Sequence, residues 1–243
     1  MSTGDQAQRK SRPLSQSARL RPTSLGSGRS VPRNASRVTG VLPVAKGIGD
    51  VEFESGLEED FLTVLGFSHL VLEFKTQPCT IHWRDAEGRR RRYTPDVLAR
   101  VAKAGWWRGR QEVLFEVKAH SVLKRHWSEL RPKYKAATAY ARERGWVFKI
   151  VTEQQLNPDL LWNIRFLNRY RLPGWSNTEF VKTTFAVFER RRSIPVRTLV
   201  NVLGHNTAER AVAVSTIWSM VANYELRCDL SKRLTMSTRL WRK

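Results

Sequence analysis

Apolar residues at Leu57, Phe61, Val64 and Leu65 share one stripe and predict a helix over residues 55–66. A β-rich block follows, with strands expected at 70–74, 79–84 and 91–101 and a D-A-E-G turn at 85–88. Trp106, Trp107 and Gly109 mark a connection, and the run E-V-L-F-E-V-K over 112–118 reads as a further strand. Leu130, Tyr134, Ala137 and Tyr140 lie on or near one face of a long helix over 124–144, which Gly145 ends. Residues 146–152 form one more apolar strand. Helix, strands, helix and strand make an α/β domain with a central sheet and flanking helices, expected over 47–153.

Beyond 153 the strand signals fade. Helices are expected at 160–170, 178–190, 195–203 and 207–224, with Pro195 near one start and Gly204 just past its end. A weakly alternating tail at 225–241 could form a β-hairpin. Helix, short turn, helix and hairpin is the order of a winged helix-turn-helix, so a mostly helical, winged-helix-like domain is expected over 154–243. Residues 1–46 are rich in Ser, Arg, Pro and Gly without apolar periodicity, and read as a disordered basic tail. That tail could lie along DNA phosphates or simply be solvated.

Charge narrows the function. Lys and Arg number 43 against 22 Asp and Glu, a formal +21 with a pI near 11.0. An excess spread through folded segments points to a polyanion, most simply nucleic acid. No apolar run has the length of a membrane span, and the polar N-terminus is not a signal peptide, so no membrane partner is expected. Cys79 and Cys228 lie far apart in sequence, without metal-ligand or disulfide spacing, which is the usage of a reducing compartment such as the cytoplasm. The absence of a glycine-rich phosphate loop argues against ATP use by this chain.

The candidate chemistry lies on two strands. Asp96 follows Pro95, and Glu116-Val117-Lys118 comes about twenty positions later. Alternation places Glu116 and Lys118 on one face and Val117 on the other. If the strands are neighbours, Asp96, Glu116 and Lys118 converge as phosphodiester hydrolysis requires. Carboxylate oxygens would hold Mg²⁺, and the ammonium would face the scissile phosphate. Such spacing also arises by chance, but Asp96 and Glu116 sit beside apolar runs where carboxylates are costly without partners. Glu58 is a fourth candidate with two open readings: the S-G-L-E run at 55–58 is a capping box, yet Glu58 also borders the apolar stripe and could reach the strand carboxylates.

The runs S-G-L-E-E-D-F (55–61), Y-T-P-D (93–96), F-E-V-K (115–118), K-Y-K-A-A-T-A-Y-A (133–141) and F-K-I-V-T-E (148–153) together resemble the N-terminal nuclease domain of TnsA, of the PD-(D/E)xK superfamily. The resemblance covers about residues 52–153 and, more loosely, the helical remainder. It implies a restriction-endonuclease-like core and an active site of Glu58, Asp96, Glu116 and Lys118. The metal is then expected on Glu58, Asp96, Glu116 and Val117, as Mg²⁺ with Mn²⁺ able to substitute. It further implies cleavage of double-stranded DNA at the 5′ ends of a transposon, beside a TnsB-like transposase, with the C-terminal domain contacting a TnsC-like AAA+ ATPase. The basic tail and the W-W-R-G-R segment (106–110) look like additions to that pattern.

Weaker features remain open. His120 and His126 lack zinc-ligand spacing, and His120 reads as a surface histidine before a phosphate contact. The run Arg89–Arg92 could grip DNA or be a solvated hairpin. A stand-alone restriction or junction-resolving nuclease, and a non-catalytic winged-helix DNA-binding protein, are the competing functions.

Overall fold

The computed structural model describes residues 39–102 and 112–242. The tail up to residue 38 and the W-W-R-G-R segment lie outside them. Within the stretch assigned to the tail, β1 (Gly40–Val41) pairs antiparallel with β2 (Glu52–Phe53), and Leu42 and Val44 pack against buried core residues. Residues 40–44 therefore belong to the folded part ahead of the expected boundary at 46, because those two apolar side chains find a core that local periodicity does not reveal.

Helix α1 (Gly56–Phe67) starts at the Ser55 cap: Ser55 Oγ accepts from the Glu58 N–H at 3.2 Å and its hydroxyl donates to Glu58 Oε1 at 2.9 Å, while the other Glu58 oxygen accepts from the Glu54 N–H in place of the Ser55 N–H that a capping box would use. Strand β3 (Val71–Thr76) follows, then β4 (Ile81–Arg84) and β5 (Arg90–Tyr93), which pair as an antiparallel hairpin. The single strand expected over 91–101 is two. Pro95 has no N–H to give a ladder, and the chain leaves the hairpin there to enter β6 (Val97–Val101) in a different sheet. β7 (Glu112–Val117), α2 (His120–Glu143) and β8 (Val147–Val151) complete a four-stranded mixed sheet of order β3-β6-β7-β8. β3–β6 and β6–β7 are antiparallel, while β7–β8, joined through α2, is parallel.

Alternation sorts the two faces of this sheet. Val97, Ala99, Val101, Val113, Phe115 and Val117 form one core with Phe61, Leu62 and Leu65 of α1, and the Phe61 and Phe115 rings meet edge-on at 5.0 Å. Leu114 and Glu116 point the other way, where Tyr134 of α2 lies. α2 begins at His120, ahead of its expected start at 124, and carries non-helical φ/ψ at His126, so the apolar stripe from Leu130 to Tyr140 reports the part beyond the kink.

The C-terminal part comprises α3 (Pro158–Asn168), α4 (Thr178–Arg190), β9 (Ile194–Pro195), α5 (Val196–Leu203), α6 (Thr207–Ala222) and β10 (Arg239–Leu240). The turn from α5 to α6 is tight: a Cβ at Gly204 would lie 2.6 Å from the Arg210 backbone nitrogen, so only glycine fits there. The expected hairpin at 225–241 does not close on itself over its length. Its end instead pairs antiparallel with β9 ahead of α5, and Arg227 bridges to Trp241. Weak alternation could not reveal a partner more than forty residues upstream.

α1 serves both halves of this structure. Its last residue, Phe67, is buried among Ile164, Leu167, Met220 and Leu226, while Leu161 of α3 is buried with the residues around the sheet. The carbonyls left without helical partners at the end of α1 are claimed from the C-terminal side: Arg171 donates to Gly66 O and Phe67 O at 3.1 Å each, and the Tyr224 hydroxyl donates to Phe67 O. Asp60, one turn into the helix, pairs with Arg165 at 2.5 Å. Phe67→Ala should therefore lower the unfolding free energy by about 3–5 kcal/mol and weaken both halves together. Urea unfolding followed by tryptophan fluorescence and far-UV circular dichroism checks this. A variant that loses only the C-terminal half, leaving a second unshifted transition, contradicts the shared role of α1.

Candidate active site

The β6–β7 register pairs Val97 with Phe115 and Leu98 with Leu114, so one step beyond the ladder Asp96 stands opposite Glu116. The Asp96 backbone is held on both sides: its N–H donates to Phe115 O at 3.1 Å, and its carbonyl accepts from Gln77 N–H at 2.8 Å. Its side chain turns onto the next strand, where Oδ2 accepts from the Val117 N–H at 2.6 Å. Lys118 projects from the end of β7, its Nζ 3.9 Å from Glu116 Oε1. The condition set by the sequence, that the two strands be neighbours, is met, and Asp96, Glu116 and Lys118 come together.

Glu116 is 2% exposed, and a carboxylate so deeply covered needs donors. It has three from residues that sequence reasoning gave no role. The Tyr93 hydroxyl donates to Oε2 at 2.5 Å, while Oε1 accepts from Lys133 Nζ at 2.9 Å and from the Tyr134 hydroxyl at 3.3 Å. Lys133 Nζ also lies 4.6 Å and 4.9 Å from the centres of the Tyr93 and Tyr134 rings. Burial, and then the Glu116 charge, push both phenols far above the ordinary tyrosine range, so each remains a proton donor. The K-Y pair at 133–134 was the available signal. Helical spacing explained Tyr134 as core and left its hydroxyl, and the adjoining lysine, without an assignment.

Burial and then the charge of Glu116 raise the Asp96 carboxyl well above the usual carboxylate range, with Glu58 adding to the rise. The Val117 N–H and Lys118 oppose it. Glu58 is likewise raised, chiefly by burial, against the Glu54 N–H and the Ser55 hydroxyl. It serves the helix start, accepting from the Ser55 hydroxyl and from the Glu54 N–H at 2.8 Å, and its charge is felt at Asp96. Among the described residues, no three His, Cys, Asp or Glu side chains are gathered so that they could hold a metal ion. Even so, carboxylates crowded until they repel one another suit a hard cation in donor type and charge.

The surrounding features are ordinary. His120 is exposed, and its backbone N–H at the start of α2 donates to the Glu153 carboxylate at 2.9 Å. The Arg89–Arg92 run is half neutralised, because Arg89 and Arg91 pair with Asp85 at 2.9 and 2.8 Å. Arg90 and Arg92 remain exposed on β5.

A mixed sheet whose adjacent strands present an aspartate opposite an E-x-K run defines the class, an endonuclease core of the PD-(D/E)xK type. More particularly, residues 68–153 match the family model described as TnsA-like endonuclease N terminal, and this segment is a TnsA-like endonuclease domain. The match takes in Asp96, Glu116 and Lys118, while Glu58 lies ahead of it. No curated protein matches the chain.

Because Asp96 is held above its unfolded-state pKa, the metal-free fold loses stability as pH rises through the raised value. Asp96→Asn, which can keep an acceptor for the Val117 N–H, should melt at a higher temperature than the parent chain near pH 7. The difference should shrink as pH falls toward the ordinary aspartate range. Thermal melts in chelator across that range check the sign, and a variant less stable than the parent at neutral pH contradicts the crowding of charge.

Proposed function

We propose that the chain is the Mg²⁺-dependent endonuclease subunit of a heteromeric transposase, hydrolysing phosphodiester bonds at the 5′ ends of a transposon. The observation that carries this reading is the placement of Asp96 opposite Glu116 and Lys118 on adjacent strands of a TnsA-like domain. Asp96, Glu116 and the Val117 carbonyl would hold the ion, with Glu58 at its edge. When bound, the ion polarises the phosphate and lowers the pKa of a water. Lys118 faces the phosphate and offsets the negative charge that builds on it during attack. Tyr93 and Tyr134 fix the Glu116 carboxylate in place.

The net charge of +21 supplies phosphate contacts with double-stranded DNA. Among the described residues no helix is long and apolar enough to cross a membrane, and the reading places the protein with its DNA in the cytoplasm. Residues 154–243 serve as a winged-helix-like module for assembly. The close α5–α6 turn and the pairing of β9 with β10 support the winged-helix-like reading, and the family resemblance adds contact with a TnsC-like ATPase. A TnsB-like transposase cuts the other strand.

Cleavage of labelled end-containing DNA with Mg²⁺ and both partner proteins tests this. Asp96→Ala and Glu116→Ala should abolish cutting and leave DNA binding in a shift assay largely intact. Glu58→Gln, which keeps one acceptor for the Glu54 N–H and can donate to the Ser55 hydroxyl oxygen, should lose most activity with little change in melting temperature. Near-normal cutting by any of the three removes that residue from the site. The chain alone should cut plasmid DNA slowly or not at all, since misplacement of reacting groups by about 1 Å costs on the order of a hundredfold. Efficient cutting of arbitrary DNA by the chain alone would instead support a stand-alone nuclease.

A further inference from the structure

Both oxygens of Glu116 are engaged. Tyr93 holds Oε2, and Oε1 carries the Lys133 ammonium at 2.9 Å beside the Tyr134 hydroxyl at 3.3 Å, with Lys118 more distant at 3.9 Å. The three near donors differ in what they can do. Tyr93 and Tyr134 are buried with their rings edge-on at 6.4 Å, so neither phenol can withdraw without disturbing the packing around it. Lys133 stands on a four-carbon stem from α2, and 21% of its side chain is exposed, so its ammonium has a path to solvent. Its position matters as well: the cation sits against the carboxylate on which the proposed metal site depends.

We propose that Lys133 is a positioning residue for metal loading, an internal cation that holds Glu116 in the metal-free protein and yields its place to the divalent ion. This rests on the reading of Asp96 and Glu116 as metal ligands. Lys133 compensates the buried charge of Glu116, so the carboxylate stays folded into the site instead of turning to water. A divalent ion reaching Oε1 must meet the ammonium there, and two cations cannot share one carboxylate oxygen without repulsion. Displacement leaves the phenols in place, so the carboxylate keeps its orientation while its cation is exchanged. The site therefore binds metal against an internal competitor.

Mn²⁺ binding to the full chain without DNA, followed by electron paramagnetic resonance of the free ion, tests this apart from activity. Lys133→Met removes the charge at similar length and should bind Mn²⁺ about tenfold more tightly or better, on the scale of effects from residues behind metal ligands. Lys133→Arg, still cationic, should stay at the parent affinity. If Lys133→Met does not fold, Lys133→Gln gives the same comparison with a donor retained. In the parent chain, Mn²⁺ should also raise the rate at which a small amine-reactive reagent acetylates Lys133, read by mass spectrometry. Unchanged or weaker Mn²⁺ binding in the uncharged variants, or Lys133 reactivity that does not rise with metal, overturns the inference. Asp96→Ala in the same titration separates the two readings: if it binds Mn²⁺ as the parent does, the metal-site reading itself has failed, whatever Lys133 does.

Discussion

A carboxylate taken out of water must be given donors, and around Glu116 that requirement organises the sheet-bearing half of the chain. Its exposure is 2%, yet it lies in the middle strand pair of a sheet whose neighbouring residues are apolar. The cost of leaving such a group unpaired runs to several kcal/mol, enough to cancel most of the stability of an ordinary domain. Tyr93 comes from the end of a hairpin, Lys133 and Tyr134 from a helix, and each must be correctly placed for the sheet to close over the acid. The break at Pro95 and the packing of α2 on the sheet are thus tied to one buried charge.

Asp96 sits on the other side of the same constraint. Among the described residues the hydrogen-bond donor to its side chain is the Val117 N–H, and burial, then two further carboxylates, raise its pKa. One acid of the pair is stabilised by phenols and an ammonium, the other is left under repulsion. Such an imbalance costs folding energy, and a cation entering the site would recover it. Catalytic sites commonly carry this kind of local cost, because the groups that do chemistry are not those that packing alone would select.

The C-terminal part reaches this site through α1. The helix carries Glu58 at its start, is paired to Arg165 through Asp60, and gives its last carbonyls to Arg171 and Tyr224. Phe67 and Leu161 each pack in the core of the opposite half. A division at 153 describes composition and element type well, but the side chains that stabilise each half cross it.

What the sequence determined by itself was local. The Ser55 N-cap fixed where α1 begins, alternation put Glu116 and Lys118 on one face with Val117 opposed, and helical spacing located α3 to α6 to within a few residues. The motifs also indicated the family before any geometry was known. Tertiary structure decided what depends on contacts between distant segments. It set Asp96 opposite Glu116, split one expected strand between two sheets, and paired the chain's end with Ile194–Pro195 as well as with Arg227. It also brought Lys133 and the two tyrosines to Glu116, which no spacing rule could announce, because helical periodicity ranks residues by apolar face and treats a phenol as core and a lysine as surface. The physical reason is common to these cases: backbone preference and side-chain alternation act over a few residues, whereas pairing a buried charge is settled only when strands, hairpin and helix have closed around it.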